Sequence, residues 1–274
     1  MKRLLVLIFT VTLLFILLSF SAGGPSLINA QEFDTNKAIS DYLYNYNLYR
    51  NDYLTFTSAK NEFLNYNTLT SENKALEATR KLLNQRAVTV KTYLTALRMR
   101  LKEATLILNY DQNFLYIKID DEVTWIPQHL LEYASAGTIN DLLRTSAVFE
   151  KRYPDMEALA IKALGQIVFQ EETALEEEVN ALITKTEAKI AQMRETGEET
   201  TMEERWLIQA KEKVKRSSEK GAEALKITNN IKISSTNKIA YWNQAQVLFE
   251  EENQYLKEAC SNLREIIREV KSAE

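Results

Sequence analysis

Residues Trp242–Val270 read WNQAQVLFEEENQYLKEACSNLREIIREV, and the spacing of their apolar side chains decides the fold class. Trp242, Ala245, Phe249, Leu256, Ala259, Leu263, Ile266 and Val270 fall at alternating steps of three and four, with Glu252 filling the one polar slot in the series. A strand would place its apolar residues at every second position, whereas this period puts them on one side of a helix. A repeat of 3.5 residues is also the period at which that side becomes a seam for another helix.

Upstream of this run, Thr228–Asn237 is rich in Thr, Asn and Ser, and reads as a loop or as a frayed passage within one longer helix. Thr201-Met202-Glu203-Glu204 has the form of a capping box, so a helix is expected from there to at least Ile227. Gly197 is placed to close the preceding helix, expected over 155–195. Within that helix Leu164, Val168 and Glu171, then Leu175, Val179 and Leu182, then Thr186, Ile190 and Met193 repeat after eleven residues. Such a repeat predicts nearly straight packing.

At the other end, Ile39, Tyr42, Tyr46, Tyr49, Tyr53, Phe56 and Phe63 form a largely aromatic stripe on a first helix expected from Thr35 to Asn67, with Asp34 as its N-cap. A turn at Thr68–Ser71, with Thr70 or Ser71 as cap, leads to a second helix over Glu72–Leu108. Its seam is Leu76, Leu83, Val90, Leu94, Leu97, Leu101, Ala104 and Leu108. Residues 109–154 differ: a turn at Asn109-Tyr110-Asp111, a helix from Phe114 to about Trp125, a break at Ser135-Ala136-Gly137, and a short helix from the cap Thr138 to Arg152. Tyr153-Pro154 marks a boundary or kink.

Composition agrees with helices throughout. After Ala30 the chain has only Gly137, Gly165, Gly197 and Gly221 with Pro127 and Pro154, too few turn formers for a fold with many strands. The expectation is an all-α protein: an elongated antiparallel helical bundle or set of coiled-coil hairpins with about six or seven helices. Its parts are an N-terminal hairpin (31–108), a short-helix connector (109–154) and a C-terminal long-helix region (155–274).

The first thirty residues carry an address. Lys2 and Arg3 precede an uncharged run from Leu4 to Phe20, followed by the breakers Gly23, Gly24 and Pro25 and a small residue, Ala30, at the end of 1–30. This is the layout of a secretory signal peptide cut after Ala30, with an uncleaved anchor through residues 4–20 as the alternative. No cysteine follows the run, so lipid attachment is not expected, and either reading puts residues 31–274 outside the cytoplasm. The plan of a signal followed by long helical hairpins resembles that of exported bacterial coiled-coil proteins, a likeness that carries no residue over.

The net charge of −4 becomes −6 once Lys2 and Arg3 are removed, which disfavours a nucleic-acid partner. His129 is the sole histidine, so no two-histidine metal site or Glu-x-x-His di-iron motif can form; it reads as an interfacial helix residue. The acids Glu171, Glu172, Glu176, Glu177 and Glu178 read as a solvated face. There is no phosphate-binding glycine loop and no Gly-x-Ser-x-Gly elbow, so neither catalytic residues nor cofactor is expected. Cys260 is the single cysteine: it reads as a structural thiol beside the last seam, or as one half of an intermolecular disulfide. The run Asp41–Tyr49 alternates Tyr with Asn and Leu, and Tyr44 and Tyr49 are its candidates for a partner-binding face. The functional expectation is a non-enzymatic structural or adaptor role through contacts with a protein partner or with itself. The alternative is a module that binds a cell-wall or surface glycan through the tyrosine-rich face.

Overall fold

The computed structural model describes residues 34–104 and 109–273, so the expectations for 1–30 and for Leu108 fall outside the described residues. Among the described residues there are six α-helices and no strand: α1 Thr35–Tyr66, α2 Leu69–Glu103, α3 Asn109–Ser135, α4 Ile139–Glu195, α5 Thr201–Asn229 and α6 Lys238–Ala273. No described helix is long and apolar enough to cross a membrane.

Successive helices run antiparallel, as their cross-contacts show. Lys74 pairs with Glu62 and Lys81 with Asp52 between α1 and α2. Arg98 pairs with Asp120 between α2 and α3, and Arg152 with Glu122 between α3 and α4. α1 packs on α2, whereas α2 also meets α3 and α4. The organising element is α4, whose 57 residues extend about 86 Å at 1.5 Å per residue. Its N-terminal part lies against α2 and α3, and its C-terminal part joins α5 and α6. Between these, Met156 to Val168 is buried on nearly every side, because partners approach from both groups.

The α4–α5–α6 packing is three seams meeting. The heptad series of α6 is buried from Trp242 to Ile266, as the periodicity predicts. α5 contributes Leu207, Ala210, Val214, Ser217, Gly221, Ala224 and Thr228, again at steps of three and four. On α4 the expected eleven-residue register is not kept: Leu175 and Leu182 are exposed, and the buried series is Val179, Ile183, Thr186, Ile190 and Met193. The α4 seam therefore follows the heptad steps of its two partners. Burial of each Leu or Ile side chain is worth about 1.5–3 kcal/mol. The flanking pairs Lys213–Glu258 and Lys220–Glu251 are part-exposed and screened by solvent, so they add little to the apolar seam.

Several boundaries differ from the sequence reading. Asn109-Tyr110-Asp111 opens α3 instead of forming a turn, and α3 runs on through Pro127 to Ser135. α4 continues through Pro154, where a boundary or kink was expected. Each proline removes one i→i−4 bond, a local loss that packing on neighbouring helices can offset. The cap of α2 is Thr68, with Ser71 completing a reciprocal box, not Thr70 or Ser71. The cap of α5 is Thr200, which makes no side-chain cap bond, so the Thr201–Glu204 box does not form. The Thr138 cap does form, closed by Asp141.

Gly197 ends α4 with φ +86°, and the Gly197 and Glu198 amides donate to the Arg194 and Met193 carbonyls at 3.1 and 3.0 Å. This is the paired closure that a glycine at that position permits. Of the Thr228–Asn237 passage, Thr228 and Asn229 close α5, and residues 230–237 form a loop before α6. Lys238 holds it against α4, since its buried ammonium donates to the Ser235 carbonyl at 3.0 Å and pairs with Glu157 at 3.5 Å.

Candidate functional site

The chemically distinctive side chains gather at two buried centres. In the first, α2, α3 and α4 converge on Arg86. Its guanidinium pairs with Glu150, donates to Ser146 Oγ at 3.2 Å and lies 4.8 Å from the centre of the Phe149 ring. Next to it His129, only 1% exposed, stacks on Trp125 at 4.6 Å and meets Tyr133 edge-on at 4.9 Å. Arg152 covers Trp125 at 4.6 Å and donates through Nε to Glu122 at 2.6 Å.

Burial holds the His129 pKa below its usual value, and the Arg86 charge adds to that effect; Glu132, 3.4 Å away, opposes it. The Tyr133 hydroxyl is pushed up by burial, against the pull of Arg86. A neutral imidazole sandwiched between rings, beside an arginine already matched to a carboxylate, is a packing centre joining three helices.

The second centre is a polar layer within the α4–α5–α6 seams. Glu252 occupies an α6 seam position and is 1% exposed. Burial, and then the negative charges of Glu172 and Glu176 on α4, push its carboxyl up to about 9, so it is protonated and neutral at pH 7. Opposite it on α5 stands Gly221, where any Cβ would overlap the Glu252 carboxyl. Ser217 Oγ donates to the Glu252 backbone carbonyl at 2.9 Å. Asn253 Nδ2 donates to both Glu172 oxygens at 3.0 Å, and burial raises the Glu172 pKa against the opposing Asn253 bond and Lys257 charge.

Glu172 and Glu176, expected on a solvated face, are thus half-buried and continue the α4 seam toward Glu252. Glu177 and Glu178 are exposed as expected. Glu171 is half-buried and pairs with Arg100 at the far end of α2. Among the described residues, no group of three His, Cys, Asp or Glu side chains is arranged to hold a metal ion.

The two tyrosines proposed for one binding face are separated by the fold. Tyr44 is 66% exposed, while Tyr49 is 2% exposed and packed inside. Five residues turn a helix by about 500°, which leaves the two rings about 140° apart. Cys260 is half-buried and packs against the core formed by Val179, Leu207, Leu263 and their neighbours.

Sequence reading passed over Arg86 and Gly221. Both left a trace: Arg86 stands in a stretch whose apolar residues fall on two sides of α2, and Gly221 interrupts an otherwise good helix former run. Glu252 was visible as the polar member of the last heptad series. Comparison of the chain with protein-family models, with curated proteins and with solved structures finds no match. The functional reading therefore rests on this chain's own geometry.

Proposed function

We propose that this chain is an exported or envelope-anchored helical protein with a structural or adaptor role, acting through contacts of its helix faces with other proteins. The observation that carries the reading is how α1 is used. It packs on α2 through Tyr42, Tyr46 and Tyr49, while Tyr44 points away from that stripe and Leu54 and Leu64, farther along the helix, are exposed to solvent. Tyr66 and Leu69 extend that exposed apolar surface around the end of the hairpin. The stretch from Phe63 to Ser71 contains no charged residue. Apolar and aromatic side chains clustered at the end of a hairpin suit contact with a partner protein.

The N-terminal layout supports export, because a positive start, an uncharged run and a small-residue cut site are what a signal peptide needs. The test is to place a photo-crosslinking residue at Tyr44, Leu54 or Tyr66, and at Tyr49 as a buried control, in the native cells. Defined protein adducts from the exposed positions and none from Tyr49 support the role. Absence of an adduct at every exposed position contradicts it. Protease added outside intact cells reads the address in the same preparation, since an exported chain is cut and a cytoplasmic one is protected.

A further inference from the structure

Where α4, α5 and α6 meet at Glu252, three carboxyls from two helices share one layer of the packing. Glu252 comes from α6, and Glu172 and Glu176 of α4 both act on it with their negative charge. The Glu252 carboxyl fits only because α5 places Gly221 opposite, where any Cβ would overlap it. Its Oε2 is sealed from solvent and has no hydrogen-bond partner among the described residues. The nearby neutral donors are committed elsewhere. Ser217 donates to the Glu252 backbone carbonyl at 2.9 Å, and Asn253 Nδ2 donates to both oxygens of Glu172.

We propose that this layer is a proton-operated latch: it is shut while Glu252 holds its proton, and α6 parts locally from α4 and α5 when the proton leaves. The charges around it set the direction. On α4 stand Glu172 and Glu176, the second bonded to Ser218 of α5. On α5, Lys220 is paired with Glu251 at 2.7 Å. On α6 itself, Lys257 acts on Glu172. From α2, Arg100 reaches α4 next to Glu172 and is taken by Glu171. Among the described residues no cation therefore offsets a charge on Glu252. Its ionisation adds a negative charge to a buried layer that already holds two carboxyls, and a proton removes that conflict.

The size of the effect confines the opening. Ionising this one carboxyl opposes the burial of about two or three large apolar side chains. On one side of the layer α6 buries Trp242, Leu248 and Phe249, and on the other Leu256, Leu263 and Ile266. The helix therefore stays docked at both ends and parts only in the turns around Glu252. In the open layer the carboxyl meets water and titrates near its ordinary value of 4.5, whereas the shut layer holds the proton up to about 9. The open fraction then rises about tenfold per pH unit between those values, and the layer tightens as the medium acidifies. This device stands independently of the adaptor role.

The test reads solvent entry at Ser217, which is fully buried in the layer. A Ser217→Cys thiol, in a Cys260→Ser background, is treated with iodoacetamide at intervals from about pH 6 to about pH 8. Each rate is divided by that of the urea-unfolded chain at the same pH, which cancels the ionisation of the thiol. With Glu252 present the ratio is expected to rise about a hundredfold over that range, and with Glu252→Gln less than about threefold. A flat ratio with Glu252 present, or an equal rise in both proteins, overturns the proposal. Backbone deuterium exchange of the unaltered full chain, divided by the intrinsic rate at each pH, gives the same reading without a cysteine variant. Residues 249–256 are expected to follow the slope of about tenfold per pH unit, and residues 259–266 are not. No slope at 249–256, or one slope along all of α6, overturns the local latch.

Discussion

Replacing Gly165 with alanine is expected to destabilise the protein, although alanine is the better helix former. Gly165 lies in the middle of α4, where α5 ends against it, and a Cβ there would overlap Thr228. Part of that overlap is with the Thr228 Cβ, an atom fixed to the backbone that no rotamer change can remove. Beside it, Gln166 Nε2 donates to Asn229 Oδ1 at 3.2 Å and holds the same crossing.

In open space Gly→Ala within a helix gains about 1 kcal/mol. Here the two helices must separate, and overpacking of this kind costs about 1–3 kcal/mol, with loss of the neighbouring amide bond adding about 1 kcal/mol. The net expectation is a loss of about 1–3 kcal/mol. With an m-value near 3 kcal/mol/M, the urea midpoint falls by about 0.3–1 M. A double-mutant cycle sharpens the test. In a Thr228→Gly background the obstacle is gone, so Gly165→Ala is expected to be neutral or stabilising, with a coupling of about 2–3 kcal/mol between the sites. The assay is urea unfolding followed by circular dichroism for the four proteins. A stabilising Gly165→Ala in the parent, or the same effect in both backgrounds, refutes the close approach of α4 and α5.

The remaining expectations concern the two buried centres and the tyrosine face. Because the folded-state pKa of Glu252 is raised to about 9, the folded protein keeps a proton that the unfolded chain releases above pH 4.5; this contribution is fully present below pH 4.5 and is lost as pH rises toward 9. Glu252→Gln should flatten the fall of the urea midpoint across that window, and an unchanged pH profile would place the carboxyl in water. For His129 the sign is opposite: its pKa is lowered, so stability is present above pH 6.5 and is lost as pH falls below it. As the chain has one histidine, its imidazole NMR resonance is unambiguous, and a titration midpoint at or above 6.5 would contradict the aromatic enclosure. Tyr49→Ala should cost about 3–5 kcal/mol and Tyr44→Ala less than about 0.5 kcal/mol by thermal or urea unfolding. Equal effects would mean that α1 is rotated about its axis.

The helices were legible because long one-sided periodicities have few alternative explanations, and the series from Trp242 to Ile266 is buried as its spacing predicts. Local punctuation was less secure. Pro154 looks like a boundary in isolation, yet α4 passes through it, because the helix there gains more from packing on both neighbouring groups than it loses at one missing amide. The eleven-residue reading of α4 failed for a related reason. Leu175 and Leu182 complete that pattern on paper, but the register is set by partners with heptad seams, and half-buried carboxylates at Glu172 and Glu176 occupy positions that a sequence reader assigns to solvent. Tyr49 illustrates the same limit: composition marked the tyrosine-rich run as unusual, and only the helix phase separates the ring that faces water from the one that faces Arg86.

Light scattering coupled to size-exclusion chromatography tests most directly whether the long seams are satisfied within one chain. Over a range of about 1–100 µM, with and without reductant, the expected mass is that of one chain, because α4, α5 and α6 bury their seams against one another. An obligate dimer that persists at the lowest concentration and dissociates only on unfolding would contradict this, and would mean that the seams of α4, α5 and α6 are completed by a second copy.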